Sequence, residues 1–182
     1  MCHYITAVLP GSADHDALDV LARGYGRQFK PLSNPGVEAQ LHGDEQYFIT
    51  TTGYCDCGTP LGALLRDSGR LPDWSAQEQR LLRKGWSKAK VARALAQKQE
   101  ALRTSSEASA AGNLKALSCW VDFIGEVLGS GRTSHLGLLL HMYSGSVENR
   151  IQLNGREIVR STEVTGEMLG RMKEDVLYVF RP

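Results

Sequence analysis

The sequence predicts an α+β fold, a single domain over residues 1–182 in which a mixed, mostly antiparallel sheet is packed on one face by helices. Segments rich in β-branched and aromatic residues lie near both ends of the chain and are typical of strands. Segments with apolar residues at helical spacing occupy its middle. The resulting order, β-α-β-α-α-α-β-β-β-α-β, is the pattern of an α+β domain.

The N-terminal elements follow from local composition and turn signals. Residues 4–9 are predicted as the first strand, which ends at a Pro-Gly pair. Asp14 or Asp16 can cap the helix that follows. Residues 30–43 contain two prolines and are predicted as a loop, and residues 47–52 (YFITTT) are the strongest strand of this half.

The central elements are predicted to be helical. Thr59 as N-cap, followed by a proline, starts a short helix. A second helix runs over 75–103 from a capping box and is interrupted at Gly85. Residues 104–112 (TSSEASAAG) are small and polar and are predicted as a mobile loop, and residues 114–128 form a further helix with one apolar face.

The C-terminal elements are mostly strands. Residues 135–143 (HLGLLLHMY) are predicted as a buried strand because both faces are apolar. The Asn154-Gly155 pair predicts a hairpin with a two-residue turn. Residues 165–173 are predicted as a short helix and residues 176–180 (VLYVF) as the last strand. Strand order stays open, since the first strand can pair with the second or with the last.

The composition excludes several functional classes. Net charge is +1 over 182 residues, which argues against a nucleic-acid partner and against a charged membrane surface. No apolar stretch is long enough to span a membrane, and the N-terminus lacks the basic region of a secretory signal. We therefore expect a cytoplasmic protein with reduced thiols. Phosphate-binding loops, HExxH and GxSxG are absent from the sequence.

Two cysteine clusters are the most distinctive local feature. Cys2 and His3 precede the first strand, and Cys55 and Cys57 follow the second. Cysteine and histidine are the ligands that zinc prefers, although its structural sites usually contain CxxC and not CxC. If the fold brings the clusters together, a zinc site forms from Cys2, Cys55 and Cys57, completed by His141 or His3. No other cofactor is predicted.

The same residues also allow thiol chemistry. Cys57 lies just before a predicted helix N-terminus, where the helix dipole favours a thiolate, although the neighbouring Asp56 opposes it. Cys2 becomes an N-terminal nucleophile if the initiator methionine is removed. His3 or His141 is then the base. In the third interpretation all these cysteines are small core residues.

A basic segment is the second distinctive feature. Residues 80–103 contain eight basic residues and one acid, a local charge of +7 in a chain of net charge +1. Such a surface favours a protein partner with an acidic surface. Its predicted contacts are Arg83, Lys84, Trp86, Lys88 and Arg93.

Two functions follow from these features. The sequence favours a non-enzymatic protein that binds another macromolecule, of which a toxin-neutralising, immunity-type protein that uses the basic helix is the specific form. The alternative is a thiol- or zinc-dependent hydrolase or transferase built on Cys2, Cys55 and Cys57.

Overall fold

The computed structural model describes residues 2–62 and 74–182, with the side chains of residues 101–116 excepted. The strands are β1 Cys2–Leu9, β2 Arg27–Pro31, β3 Gln46–Thr51, β4 Leu136–Tyr143, β5 Gly155–Arg160 and β6 Val176–Arg181. The helices are α1 His15–Gly24, α2 Pro35–Glu38, α3 Trp74–Arg83, α4 Lys88–Gly129 and α5 Gly166–Leu169, with a 3₁₀ turn at Ser161–Glu163.

The strands form one mixed sheet in the order β2-β3-β1-β4-β6-β5. Every neighbouring pair is antiparallel except β5 and β6, which are parallel. The predicted α+β class is therefore confirmed. β1 lies in the middle of the sheet, between β3 and β4, so its neighbours do not include the C-terminal strand.

The main core lies between the sheet and the helices α1, α4 and α5. The predicted apolar face of the C-terminal part of α4 is confirmed, since Leu117, Ile124 and Leu128 are buried in this core. A smaller core covers the opposite face of the sheet, where α2 contributes Val37 and the segment after β4 contributes Ile151. Helices thus cover one face as predicted, and one helical turn with its flanking loops covers the other.

The predicted loop at 104–112 is wrong. These residues continue α4, which runs without a break for 42 residues. The segment is rich in alanine, the best helix former, and contains no proline. Extending an existing helix avoids the free-energy cost of nucleating a new one, so the helical segments on both sides favour helix here. The predicted interruption at Gly85 is confirmed, because that residue has a φ of +79° between α3 and α4.

The predicted hairpin at Asn154-Gly155 is also wrong. The Gln40 side chain donates to Ile151 O at 3.0 Å and accepts from Leu153 N–H at 2.9 Å. The Asn154 N–H donates to Asp175 O at 2.6 Å. Residues 151–154 are therefore held by two other segments, and β5 pairs with β6 and not with them.

None of the described helices combines the length and the hydropathy that a membrane-spanning segment requires.

Candidate metal centre

Three cysteine sulfurs converge at the beginning of β1. Cys2 is the first residue of β1, whereas Cys55 and Cys57 lie in the turn that follows β3. Their Sγ atoms all lie within 4.8 Å of one another, and we call these three residues the thiol cluster. Each is half-buried and has a free thiol. Two segments that are distant in the chain thus meet, which the sequence left open.

The turn at residues 53–58, here the cysteine turn, docks on an open edge of β1. β3 pairs with β1 only at residues 6–9, so no described strand pairs with the preceding residues of β1 on that side. The Asp56 N–H donates to His3 O at 2.8 Å, and the Ile5 N–H donates to the Asp56 carboxylate at 2.9 Å. The His3 N–H donates to Cys57 Sγ at 3.1 Å. The turn thereby supplies the hydrogen bonds that a neighbouring strand would make with this part of β1, and it positions Cys55 and Cys57 beside Cys2.

Asp56 anchors the cysteine turn from inside the protein. It is fully buried, and its carboxylate accepts from the Thr51 hydroxyl and forms an ion pair with Arg27. The Arg27 guanidinium in turn lies 4.3 Å from the centre of the Trp120 ring. The sequence suggested that Asp56 opposes a thiolate at Cys57. In the structure its charge points inward and is neutralised by Arg27.

The residues after the turn are also tightly packed. The Thr59 hydroxyl donates to Asp56 O at 2.8 Å and accepts from the Gly62 N–H at 3.3 Å, which is the capping bond predicted for Thr59. A Cβ on Gly62 would lie 2.1 Å from Asp56 O, so only glycine fits there. The rest of the predicted helix lies outside the described residues.

His3 is the histidine nearest to the thiol cluster. Its Nδ1 lies 3.9 Å from Cys57 Sγ, and its Nε2 lies 2.8 Å from Glu174 Oε1. His3 is nevertheless not among the residues whose ligand atoms all lie within 4.8 Å of one another. It therefore contacts one sulfur of the cluster and does not face all three.

His141, the other predicted ligand, is engaged elsewhere. Its Nδ1 pairs with the Asp175 carboxylate, and its ring packs edge-on against Tyr143 with centroids 4.4 Å apart. It too lies outside the thiol cluster. Glu174 and Asp175 are half-buried partners of the two histidines. Sequence reasoning missed this role because the two acids lie far from both histidines in the chain.

Tyr4 lies beside the thiol cluster. Partial burial raises the pKa of Tyr4, and the neighbouring charges of Cys2, Cys55 and Cys57 raise it further. Its hydroxyl donates to Tyr54 O at 2.6 Å. The Tyr54 side chain itself is 99% exposed. The rim of the cluster is therefore aromatic and open to solvent.

The fourth cysteine is separate from this site. Cys119 lies on α4, within the helix predicted over 114–128, and its side chain is exposed and not part of the apolar face. It occupies the solvent side of the helix turn whose other side buries Leu117 and Trp120.

The predicted basic contacts lie at the junction of α3 and α4. Arg83 ends α3, Lys88 begins α4, and both are exposed, as are Lys84 and Arg93. Trp86 is half-buried, and the Lys90 ammonium lies 4.2 Å from the centre of its ring. The basic segment is therefore divided, as predicted, at Gly85 into two helices joined by a short turn.

Comparison of the chain with protein-family models, with curated proteins and with solved structures gives no match.

Proposed function

We propose that the protein binds a thiophilic divalent metal ion, zinc in the first place, through Cys2, Cys55 and Cys57. One observation carries the proposal, namely the convergence of three free thiols within 4.8 Å of one another. With Zn–S bonds of about 2.3 Å, the sulfurs of a tetrahedral site lie about 3.8 Å apart. The thiol cluster reaches that spacing with small side-chain movements.

The surroundings of the cluster favour a bound cation. Three thiolates at this spacing repel one another, and a divalent ion removes that repulsion. Asp56 adds no uncompensated charge, because Arg27 neutralises it inside the protein. A thiolate site of this kind fits the reducing cytoplasm predicted from the sequence, where thiols are not consumed by disulfides.

Native intact-mass spectrometry of protein purified without chelator tests this function. We expect one zinc-sized increment that disappears on acid unfolding and in each of the variants Cys2→Ser, Cys55→Ser and Cys57→Ser. The matched control is Cys119→Ser, which removes a cysteine outside the cluster and should retain the metal. A metal-free wild-type chain after zinc addition, or equal loss in the Cys119 variant, would contradict the proposal.

A second candidate function, thiol catalysis, is supported by the alignment of Cys57, His3 and Glu174. The distances of 3.9 Å from Cys57 Sγ to His3 Nδ1 and 2.8 Å from His3 Nε2 to Glu174 Oε1 give the order nucleophile, base and orienting carboxylate. In metal-free protein, iodoacetamide should then alkylate Cys57 faster than Cys119. Glu174→Gln should remove that difference, whereas Glu167→Gln, an exposed acid elsewhere, should not.

The toxin-neutralising function remains a prediction. It depends on the basic residues at the junction of α3 and α4, whose exposure is the ordinary state of charged side chains. Convergence of three thiols is a rarer arrangement, so the metal centre stands first.

A further inference from the structure

We infer that the metal centre keeps its fourth coordination position open and binds an external thiol there. The inference rests on the proposed function, since it needs the metal held by Cys2, Cys55 and Cys57. Zinc sites with four protein ligands are structural, whereas sites with three protein ligands leave a position for water or substrate. The fourth position is therefore open unless a neighbouring side chain supplies the fourth ligand.

The nearest nitrogen donor is His3, and the strand geometry directs it away. Successive side chains of a strand point to opposite faces, so Cys2 and His3 leave β1 on opposite sides. Cys57 Sγ lies at the edge of β1, where it accepts a hydrogen bond from the His3 N–H at 3.1 Å. From that position the sulfur is close to the side chains of both Cys2 and His3, although these lie on opposite faces of the strand. His3 thus contacts one ligand of the metal from the far side, held in place by Glu174.

The other described side chains that could donate to a metal here are already engaged. Asp56 faces the interior, paired with Arg27 and bonded to Ile5 N–H. The Tyr4 hydroxyl donates to Tyr54 O, and His141 pairs with Asp175. Among the described side chains, those of residues 2–62, 74–100 and 117–182, the cluster of metal-ligand atoms within 4.8 Å of one another contains the three sulfurs alone.

The cluster is also accessible from solvent. All three cysteines are only half-buried, so part of each residue is exposed to solvent. A Cβ added at Gly53 or Gly58, at the two ends of the cysteine turn, would meet no heavy atom of the described residues within 4 Å. The described residues therefore leave the thiol cluster accessible to a small molecule beside the exposed Tyr54.

The chemistry of the set favours a thiol as that molecule. Three thiolates form a soft ligand set, and zinc completes such sets with a fourth thiolate in its Cys₄ sites. The thiol would bind as thiolate, releasing its proton to solvent and displacing the coordinated water. The half-buried ring of Tyr4, which packs edge-on against the buried Tyr143 with centroids 5.5 Å apart, offers apolar surface on the face of the sheet beside Cys2.

Cobalt substitution tests the open position. Protein reduced with a phosphine and loaded with Co²⁺ is titrated with 2-mercaptoethanol, and separately with imidazole, while its absorption spectrum is recorded. We expect the thiol to raise the thiolate-to-cobalt charge-transfer band by about one third, because Co–S bonds increase from three to four. The cobalt content, measured afterwards, must be unchanged, and Cys119→Ser must behave as the wild type.

Two results would overturn the inference. A cobalt spectrum that neither thiol nor imidazole alters shows a closed site. A wild type inert to imidazole, together with a His3→Ala variant that responds to it, identifies His3 as the fourth ligand. In both cases the metal is bound and the proposed function stands. Absence of any cobalt–thiolate band overturns the proposed function together with this inference.

Discussion

Asp56 is the residue on which the geometry of the candidate site depends. It is fully buried and holds the cysteine turn to β1 through Ile5 N–H, to β3 through Thr51 and to Arg27 through an ion pair. Burial of a charge is costly unless it is paired and hydrogen-bonded, and Asp56 is both. A single side chain thus connects the stability of the fold to the position of Cys55 and Cys57.

Asp56→Asn should destabilise the protein by about 3 kcal/mol, because it leaves the Arg27 guanidinium without its counter-ion. Urea unfolding measures the loss, and cobalt titration should show weaker metal binding in the same variant. The control is Asp14→Asn. Asp14 pairs with Arg132 at the surface, where the two side chains are 49% and 48% exposed, and asparagine caps α1 equally well. That change should cost less than about 1 kcal/mol, and equal losses would contradict the role of Asp56.

At the scale of the element, α4 contains a segment whose composition favours a loop but which is helical because helix extends into it from both sides. Residues 104–112 are small and polar, which is typical of loops, yet they are helical. Gly85, by contrast, ends a helix as expected because its φ of +79° lies in the left-handed region that favours glycine. The two glycines that flank the N-terminal part of α4, Gly85 and Gly112, should therefore respond to substitution with opposite signs.

Gly112→Ala should stabilise the protein by about 0.5–1 kcal/mol, since alanine replaces glycine inside a helix. Gly85→Ala should destabilise it by about 1 kcal/mol, since alanine must adopt a positive φ. Urea unfolding followed by far-ultraviolet circular dichroism measures both. A neutral or destabilising Gly112→Ala would contradict this prediction.

The basic surface at the junction of α3 and α4 can be tested without its partner. Lys84, Lys88 and Arg93 are exposed close together in the chain, so their charges add locally. Reversing all three to glutamate should sharply lower the salt concentration at which the protein elutes from immobilised polyglutamate. The control reverses Arg160, Arg171 and Lys173, which are exposed elsewhere, and changes net charge equally. An equal shift in both variants would show that no organised surface exists.

At the scale of the whole molecule, Glu45 joins segments from both halves of the chain. It precedes β3, pairs with Arg156 of β5 and lies 3.0 Å from His135, just before β4. Burial raises the pKa of Glu45, but hydrogen bonds from Arg156 and the His42 N–H and the charge of Arg156 lower it to about 2, against 4.5 ordinarily. Burial also lowers the pKa of His135, which favours its neutral form.

Acid should therefore weaken the fold through Glu45. Because its folded-state pKa lies below the unfolded one, its stabilisation is complete above about pH 4.5 and is lost as the pH falls towards 2. Glu45→Gln should cost on the order of 3 kcal/mol at pH 7, and the difference from the wild type should shrink between pH 5 and pH 2. Urea unfolding across this range measures it, with the exposed Glu148→Gln as control. A difference that does not change with pH would contradict the assignment.

Local signals predicted those features that local physics decides. The β-branched strands, the apolar face of the C-terminal part of α4, the break at Gly85 and the cap at Thr59 each depend on residues within a few positions of one another. Where a local signal competed with a distant contact, it failed. The Asn154-Gly155 pair favours a hairpin, but bonds to Gln40 and Asp175 hold the preceding residues away from β5.

The cysteine constellation was visible in the sequence, whereas its geometry was not. Spacing alone could not show that β3 stops short along β1, that the cysteine turn fills the open edge, or that Glu174 reaches His3. These contacts join residues far apart in the chain, and strand order decides which of them form. The residue types thus specified the chemistry that is available to this protein. The tertiary structure alone decided which of these residues lie in contact, because the pairing of distant segments leaves no periodic pattern in the sequence.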